Sequence, residues 1–269
     1  MDVDAIAERL VRVLDTGATC ERVSDDVPGF SADDAYAVLA AIRRRRADSG
    51  WRRAGRKIGL TNRTVWEALG VDRPFWADVW DRTVVSQTGD ARSVALGSFA
   101  QPRIEPEVVF GLRGPVPVTD DPVEVLAAVE WMAPGFEVVR CPYPGWRFGM
   151  ADCVAAAGFH GALVVGARVP VDEANREAVA AALPSFALTL VRNGELVDSG
   201  VGANVLDSPA LALGDLARVL SEQPRAPDLA AGELVTTGTI TNAHPVRTGE
   251  HWRADYGALG LEPFTLTFT

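Results

Sequence analysis

The feature that most constrains the fold of this chain is a change in hydrophobic periodicity along its length. Within the first 50 residues, as in residues 3–14, apolar side chains recur three and four positions apart, the spacing of one face of an α-helix. From about residue 84, short alternating or continuously apolar runs predominate, and Asn193-Gly194 between two of them predicts a β-hairpin. We therefore predict an α+β fold, with a helical N-terminal segment (residues 1–83) packed on a β-rich domain of mixed sheets (residues 84–269).

Start and stop signals bound several of these elements. Ser31 and Asp34 have the spacing of a capping box, which predicts a helix start. Asp121-Pro122 predicts the start of another helix, which we expect to run through Met132. Strands are predicted over residues 103–112, 136–139, 162–166, 234–240 and 264–269.

Composition and charge exclude several classes of protein. Hydrophobic residues make up 48% and charged residues 23% of the 269 residues, the balance of a globular chain rather than a disordered one. With 36 acidic against 26 basic side chains, the net charge is −10. Because such a surface repels phosphates and anionic lipids, we expect neither nucleic acid nor a membrane as a partner.

The expected location of the chain is the cytoplasm. No uncharged apolar stretch approaches the roughly 20 residues that span a bilayer, and the first residues, MDVDAIAERLVRVLD, lack the apolar core of a signal peptide. Cys20, Cys141 and Cys153 have neither metal-binding nor disulfide spacing, which fits a reducing compartment.

Lys57 is the only lysine among the 26 basic residues, and all the others are arginine. Such a bias usually reflects base composition, which replaces lysine wherever arginine serves equally well. A site that needs a compact ammonium group or a proton donor does not tolerate that exchange. Lys57 is therefore either a remnant without a role or a functional residue, and the count alone favours neither interpretation.

Three acidic residues lie in predicted strands. Glu105 and Glu107 are two positions apart, so they share one face, roughly 6–7 Å from each other, and alone they fit the wet side of a half-buried strand. Glu137 lies in the apolar run GFEVV, where a carboxylate is costly unless it is paired, hydrogen-bonded or metal-bound. Three carboxylates form a hard oxygen site that suits Mg²⁺ or Mn²⁺, and no His or Cys lies at the spacing that zinc requires.

Four segments together resemble one known family. In chain order they resemble the fumarylacetoacetate hydrolase superfamily, and most closely its branch of 2-keto-4-pentenoate hydratases and 2-oxo-3-hexenedioate decarboxylases. The resemblance runs from about residue 50 to the C-terminus and implies a β-rich, metal-binding catalytic domain of that family's type. The segments are GRKIGLTNRTVWEALGV (55–71), PRIEPEVVFGL (102–112), PGFEVV (134–139) and GELVTTGTITNAHPV (232–246).

The resemblance implies roles for individual residues. Glu105, Glu107 and Glu137 would ligate Mg²⁺ or Mn²⁺, Lys57 would face the substrate, and Thr239 would lie near the substrate carboxylate. The chemistry of these groups fits a 2-oxo acid, which can chelate a metal so that the metal stabilises an enolate. Lys57 could neutralise the substrate carboxylate or move a proton, with a pKa lowered by the cation and by burial.

The expected activity is that of a divalent-metal-dependent hydratase, a lyase acting on an unsaturated 2-oxo or 2-hydroxy acid through a metal-stabilised enolate. Decarboxylation of a vinylogous 2-oxo diacid is the second interpretation. Hydrolysis of a C–C bond is the third, because none of His160, His244 and His251 stands where the hydrolases of this superfamily have a water-activating His-Glu dyad. A catalytically degenerate keto-acid-binding protein remains a further alternative.

The chain also departs from the pattern of that branch. Residues 74–77 read PFWA where the branch has Pro-Asp-Phe-Gly, residues 140–141 replace Asp-Ser, and residues 156–157 replace Asp-Asn. Phe75 then becomes a candidate substrate-binding residue. Asp152 is kept and is a candidate catalytic residue that orients a neighbour, or a cap of a turn.

These departures favour a substrate with one carboxylate and an apolar distal end. Arg140 could bind a second carboxylate, but it lies three residues past Glu137 and so on the opposite face of a straight strand. Arg147 is another candidate cation. The aromatic residues Phe75 and Trp76 suit an apolar tail, and other tryptophans could enclose it, although packing is the commoner role for each: Trp66, Trp80, Trp131 and Trp146.

The expected assembly is a homodimer or a larger closed homo-oligomer. Strand edges must be covered or paired, and the family resemblance implies homo-oligomers. We expect the symmetric contacts to be built from the β-rich domain.

Overall fold

Helices form the first part of the chain, and two β-sheets form most of the remainder. The computed structural model describes residues 1–86, 93–223 and 226–269. The α-helices are α1 (Val3–Thr16), α2 (Val23–Asp26), α3 (Ala32–Asp48), α4 (Trp66–Leu69), α5 (Pro122–Ala127), α6 (Met150–Ala155), α7 (Arg176–Ala182) and α8 (Pro209–Ser221). The strands are β1 (Arg53–Gly59), β2 (Phe75–Trp80), β3 (Val84–Ser86), β4 (Ser93–Val94), β5 (Arg103–Leu112), β6 (Val129–Val139), β7 (His160–Val165), β8 (Val169–Pro170), β9 (Ala187–Arg192), β10 (Glu195–Val201), β11 (Leu234–Thr236), β12 (His244–Pro245), β13 (His251–Asp255) and β14 (Phe264–Phe268).

The N-terminal helices begin and end where their capping residues predict. Helix α1 stops at Gly17, whose φ of 70° places it in the left-handed region that favours glycine. Helix α3 starts at Ser31, and both hydrogen bonds of the predicted capping box with Asp34 are present. The two helices are joined by Arg46, whose guanidinium donates to both oxygens of Asp15 at 2.9 and 2.6 Å.

The larger sheet places β5 and β6 at its centre. Its strands follow the order β2-β1-β11-β5-β6-β7-β3, with β12 also paired to β5 and β8 to β6. Strands β5 and β6 are antiparallel, with Glu105 opposite Glu137 and Glu107 opposite Gly135. Because side chains alternate along a strand, these acids share one face, called here the front face, whereas Ile104 and its alternate neighbours lie on the back face.

The smaller sheet packs on the back face of the larger one at β5 and β6. Its order is β10-β9-β13-β14-β4. Phe264 of β14 stacks on Phe136 with ring centroids 5.2 Å apart, and the buried Tyr256 hydroxyl lies 2.9 Å from the carbonyl oxygen of Glu107. Mixed sheets with N-terminal helices confirm the predicted α+β class.

Several predicted elements are confirmed, and others are wrong in extent. The Asn193-Gly194 hairpin joins β9 to β10, with φ of 52° and 88° at the two residues. The helix expected to run through Met132 ends at Ala127, because the following residues pair with β5 as the first part of β6. The strand expected over 234–240 ends at Thr236.

The residues between the N-terminal helices and residue 84 contain two strands that the sequence did not indicate. Strand β1 pairs in parallel with β11 and antiparallel with β2, so both join the larger sheet. The division of the chain at residues 83 and 84 stays a prediction. Among the described residues, no helix has the length and apolar character needed to cross a membrane.

Candidate metal and substrate site

A pocket of about 210 Å³ lies over the front face of the larger sheet. This volume is below the roughly 300–1,000 Å³ of sites for drug-sized ligands, so it suits a small molecule. Its polar lining includes Lys57, Glu105, Glu107 and Thr239. Its apolar lining includes Phe75, Val139, Trp146, Phe148, Cys153 and Phe159.

Three carboxylates converge beside this pocket. One oxygen each of Glu105, Glu107 and Glu137 lies within 4.8 Å of the others. Glu107 and Glu137 are buried and Glu105 is half-buried. Like charges opposite each other on paired strands repel, so a cation between these groups would stabilise the arrangement.

Glu107 is held by the last residue of β11 and by the segment that follows that strand. Its Oε2 accepts a hydrogen bond from the Thr236 hydroxyl and another, of 2.7 Å, from the backbone N–H of Gly238. Gly238 has a φ of 102°, and a Cβ there would lie 2.0 Å from the hydroxyl oxygen of Thr61. The other carboxylate oxygen of Glu107, Oε1, is buried and has no hydrogen-bond partner among the described residues.

Glu137 is paired on both sides. Its Oε2 lies 2.8 Å from Lys57 Nζ, and its Oε1 lies 2.7 Å from His160 Nδ1. His160 Nε2 lies 2.8 Å from the Thr83 hydroxyl. Because a carboxylate only accepts, the imidazole donates from Nδ1 to Glu137. His160 is thus a hydrogen-bonded support of Glu137 and is absent from the lining of the pocket.

Lys57 reaches the carboxylates from β1. Its Nζ donates to the carbonyl oxygen of Gly158 at 2.9 Å as well as contacting Glu137. Gly158 has a φ of 62°, and a Cβ there would come within 3.1 Å of Lys57 Cδ and 2.8 Å of the Phe75 ring. The absence of a side chain at residue 158 therefore makes room for the lysine stem.

Burial and mutual charge displace the pKa values of these groups. Burial raises the pKa of Glu105 to about 7 against the opposing effect of Lys57, and burial with the neighbouring acids raises the pKa of Glu107. Burial alone would raise the pKa of Glu137, but Lys57 and His160 lower it. Burial alone would lower the pKa of Lys57, but the carboxylates outweigh it and raise that pKa. The lowered Lys57 pKa expected from the sequence is therefore wrong for the protein alone.

Of the other predicted site residues, two line the pocket and one does not. Thr239 lines the pocket, and its hydroxyl donates to the carbonyl oxygen of Thr241 at 3.0 Å. Phe75 is buried in the pocket wall. Asp152 does not line the pocket. Its carboxylate accepts from the backbone N–H and hydroxyl of Ser24 at 2.9 and 2.8 Å and from Gly149 N at 3.0 Å, so it caps α6.

Sequence reasoning did not predict several of the contacts and conformations around the pocket. Gly158 and His160 could not be linked to Lys57 and Glu137 because their contacts are tertiary. Trp76 was expected near a substrate tail, but this is wrong, because it points to the back face and donates to Gln223 at 2.9 Å. Leu60, Trp146 and Phe159 line the pocket with positive φ values, conformations that are costly for non-glycine residues and that concentrate at functional sites.

The donor set fits a hard divalent cation. Three carboxylates supply oxygen ligands, as Mg²⁺ and Mn²⁺ prefer, and the unpartnered Glu107 Oε1 leaves one ligand atom free. No His or Cys belongs to the group within the described ranges, which disfavours zinc.

Comparison with known proteins assigns the class. The family model described as fumarylacetoacetate (FAA) hydrolase C-terminal matches residues 68–262. The chain therefore belongs to the fumarylacetoacetate hydrolase family, which confirms the resemblance seen in its sequence motifs.

Individual relatives narrow that class. The 2-keto-4-pentenoate hydratase of Paraburkholderia xenovorans (strain LB400) is 32% identical over 256 residues, which cover 94% of this chain and 91% of the relative. The 2-hydroxyhexa-2,4-dienoate hydratase of Comamonas testosteroni is 31% identical over 271 residues, covering 99% and 97%. The 4-oxalocrotonate decarboxylase from Pseudomonas putida G7, complexed with magnesium and adipate, superposes with a TM-score of 0.89 at 28% identity, covering 99% of this chain and 97% of that one.

Proposed function

We propose that this chain is a divalent-metal-dependent hydratase, a lyase that adds water to an unsaturated 2-oxo acid of the 2-keto-4-pentenoate type. The observation that carries the proposal is the convergence of three carboxylates on a small pocket that Lys57 also faces. The names of the hydratase relatives point to the same reaction.

Glu105, Glu107 and Glu137 are the proposed ligands of Mg²⁺ or Mn²⁺. A bound cation supplies Lewis acidity to the keto and carboxylate oxygens of a 2-oxo acid. Thr236 and the backbone of Gly238 orient Glu107, and His160 orients Glu137, so the ligand oxygens are held in place before the substrate arrives.

Lys57 and Thr239 are the proposed substrate-facing residues. Lys57 Nζ, which lies 2.8 Å from Glu137 Oε2, would neutralise the substrate carboxylate or deliver a proton from that atom. The Thr239 hydroxyl donates to Thr241 and has to rotate away from that carbonyl to bind a carboxylate. Asp152 contributes by fixing α6, which carries Cys153 in the pocket wall.

The overall reaction on a 2-hydroxy-2,4-dienoate balances with water alone. The proton of the 2-hydroxyl leaves and C5 gains a proton, which gives the 2-oxo-3-enoate. Water then adds its hydroxyl to C4 and its remaining proton to C3, which gives the 4-hydroxy-2-oxo acid.

The test is turnover of 2-hydroxypenta-2,4-dienoate, followed by loss of its ultraviolet absorbance. We expect activity to disappear after exhaustive chelation and to return with Mg²⁺ or Mn²⁺. Glu107→Gln should not regain it, whereas Glu130→Gln, at an exposed position of β6, should. Full activity without metal would contradict the proposal, and metal-dependent binding without turnover across a panel of 2-oxo acids would identify a keto-acid-binding protein instead.

Decarboxylation is the second candidate. The decarboxylase from Pseudomonas putida G7 shares the fold over nearly the whole chain. Release of CO₂ from a 2-oxo-3-enedioate, faster than hydration of the matched mono-acid, would favour it. C–C hydrolysis stays third, because His160 supports Glu137 from outside the pocket lining.

We also propose a cytoplasmic location and a homo-oligomer. The cysteines of the chain, all free thiols in the structure, fit a reducing compartment. Strand β10 ends the order of the smaller sheet, and its Leu196 and Val201 are 67% and 43% exposed. Such an edge favours a further covering surface.

A further inference from the structure

The apolar wall of the pocket is built from three aromatic rings in mutual contact. Phe148 and Phe159 meet edge to face with centroids 4.7 Å apart, and Trp146 contacts Phe159 at 5.7 Å and Phe148 at 6.3 Å. All three rings line the pocket. A 2-oxo acid bound at the carboxylates and Lys57 would have its distal group free to contact this wall.

A second carboxylate on the substrate would find no further cation in the pocket. Lys57 is the one charged donor among the described residues that line it. Arg140 is buried elsewhere, donating to the carbonyl oxygens of Leu14 and His160 and lying 5.3 Å from the Phe99 ring centroid. Arg147 is also absent from the lining.

Arg103 is a further cation close to the aromatic wall, but it does not line the pocket. Its guanidinium carbon is 4.1 Å from the centroid of the Trp146 ring. Trp146 lines the pocket and Arg103 does not, so the indole separates this cation from the pocket. Strand β5 also carries Arg103 on the same face as Glu105 and Glu107.

The position of the indole is specified by several hydrogen bonds. Trp146 Nε1 donates to the carbonyl oxygen of Gln101 at 3.1 Å, and its backbone N–H donates to that of Tyr143 at 3.2 Å. The Gln101 side chain in turn donates to Cys141 and Tyr143 carbonyls at 3.0 and 2.8 Å. Trp146 adopts a φ of 57°, a costly conformation that these contacts hold in place.

We infer that Trp146 determines specificity, by giving the pocket an apolar distal wall and by screening Arg103 from it, so that the substrate is a mono-acid with an apolar distal group. This inference rests on the proposed function, because it places the 2-oxo acid head group at the carboxylates and Lys57. It adds the residue that selects the opposite end of the substrate and the cation that this residue separates from the pocket.

The experiment measures binding of saturated 2-oxo acids to the Mn²⁺-loaded protein by calorimetry. Pyruvate reports on the head-group site, and 2-oxohexanoate and 2-oxohexanedioate are the matched mono-acid and diacid. We expect the mono-acid to bind about tenfold or more tightly than the diacid, since the second carboxylate would be desolvated without a partner. Failure of pyruvate to bind would contradict the proposed function, whereas equal or tighter binding of the diacid would overturn this inference alone.

Variants then test the screening by the indole. Trp146→Ala should shift the ratio of the two dissociation constants towards the diacid by about tenfold, the effect of one charge-assisted hydrogen bond. Adding Arg103→Met should reverse that shift, and Trp146→Phe should keep the mono-acid preference. An unchanged ratio in folded Trp146→Ala protein would overturn the inference.

The single variant Arg103→Met keeps the test decisive if Trp146→Ala does not fold. With the indole in place, removal of the guanidinium should leave the ratio of dissociation constants unchanged. A selective loss of diacid binding would show that Arg103 already reaches the pocket, and would overturn the screening role of Trp146.

Discussion

Arg56 and Lys57 are adjacent in β1, yet they serve opposite faces of the larger sheet. Arg56 points to the back face, where it lies 5.3 Å from the Trp76 ring and donates to the carbonyl oxygen of Asp228 at 3.2 Å. Lys57 points to the front face and contacts Glu137. The two positions therefore allow a reciprocal exchange of Arg and Lys with different expected results.

Lys57→Arg should preserve the fold and lose most turnover. The guanidinium keeps the charge, but its planar fork is too bulky for the space beside Gly158 that the compact ammonium group occupies. We expect kcat to fall on the order of 100-fold or more, the scale of a lost acid–base group. The reverse exchange, Arg56→Lys, should lower the melting temperature and leave kcat within about threefold. Wild-type kinetics in Lys57→Arg would show that the lysine has no special role.

Gly158→Ala should disturb the lysine through contact as well as through backbone strain. The added Cβ would meet the Phe75 ring and the Lys57 stem. Left-handed backbone alone costs about 1–2 kcal/mol for a non-glycine residue, so Gly260→Ala is a matched control, since its φ is 79° and nothing lies within 4 Å. Gly158→Ala should lose at least as much stability as Gly260→Ala, because its Cβ also meets neighbouring atoms. Only Gly158→Ala should lose about tenfold or more in kcat. Equal kcat values in the two variants would contradict the prediction that a side chain at residue 158 disturbs Lys57.

For individual residues, the sequence indicated the charged groups of the site better than the residues that hold them in place. A carboxylate within an apolar strand and a lone lysine are visible without a structure. The contacts of Lys57 with Gly158 and of Glu137 with His160 join residues 101 and 23 positions apart. No local pattern encodes such distances, so these two supports depend on strand order and register.

Among the secondary-structure elements, the paired strands β5 and β6 determine how metal binding affects the stability of the fold. Their pairing places Glu105 opposite Glu137, and Glu107 lies two residues further along the same face. Without a cation, the mutual repulsion of these acids opposes the pairing that the apolar residues favour. A cation that binds only the folded arrangement therefore stabilises the protein.

Mg²⁺ or Mn²⁺ should raise the melting temperature of the metal-free protein. At a concentration about 100-fold above Kd, binding contributes about 2.7 kcal/mol, which corresponds to roughly 5–10 °C for a chain of this size. Differential scanning calorimetry with and without metal measures the shift. Glu107→Gln should lose most of it, whereas the exposed β6 variant Glu130→Gln should retain it. A shift of equal size in both variants would place the cation elsewhere.

Elements with strong local signals were predictable, and those decided by tertiary pairing were not. Strand β5 and the Asn193-Gly194 hairpin match their predictions because alternation and turn chemistry act locally. The start of β6 was assigned to a helix, because its pairing with β5 overrides the signal of the preceding helix cap. Strands β1 and β2 were missed for the same reason, since their partners are distant in sequence.

For the whole molecule, we expect a mass of at least two chains of 28.7 kDa. The exposed edge strand β10 and the family resemblance both favour a closed assembly. Light scattering at micromolar concentration measures this mass directly. A monomeric mass there would refute the expectation, with or without Mg²⁺.

The register of β5 against β6 also links errors of folding to errors of chemistry. A slip of β5 by one residue would move Glu105 and Glu107 to the back face and bring Ile104 and its apolar neighbours to the front. Such a chain would bury two carboxylates against the smaller sheet, beneath Tyr256. Quality control of the fold would therefore remove inactive chains as well, because a molecule stable enough to accumulate is one whose proposed metal ligands already point to the pocket.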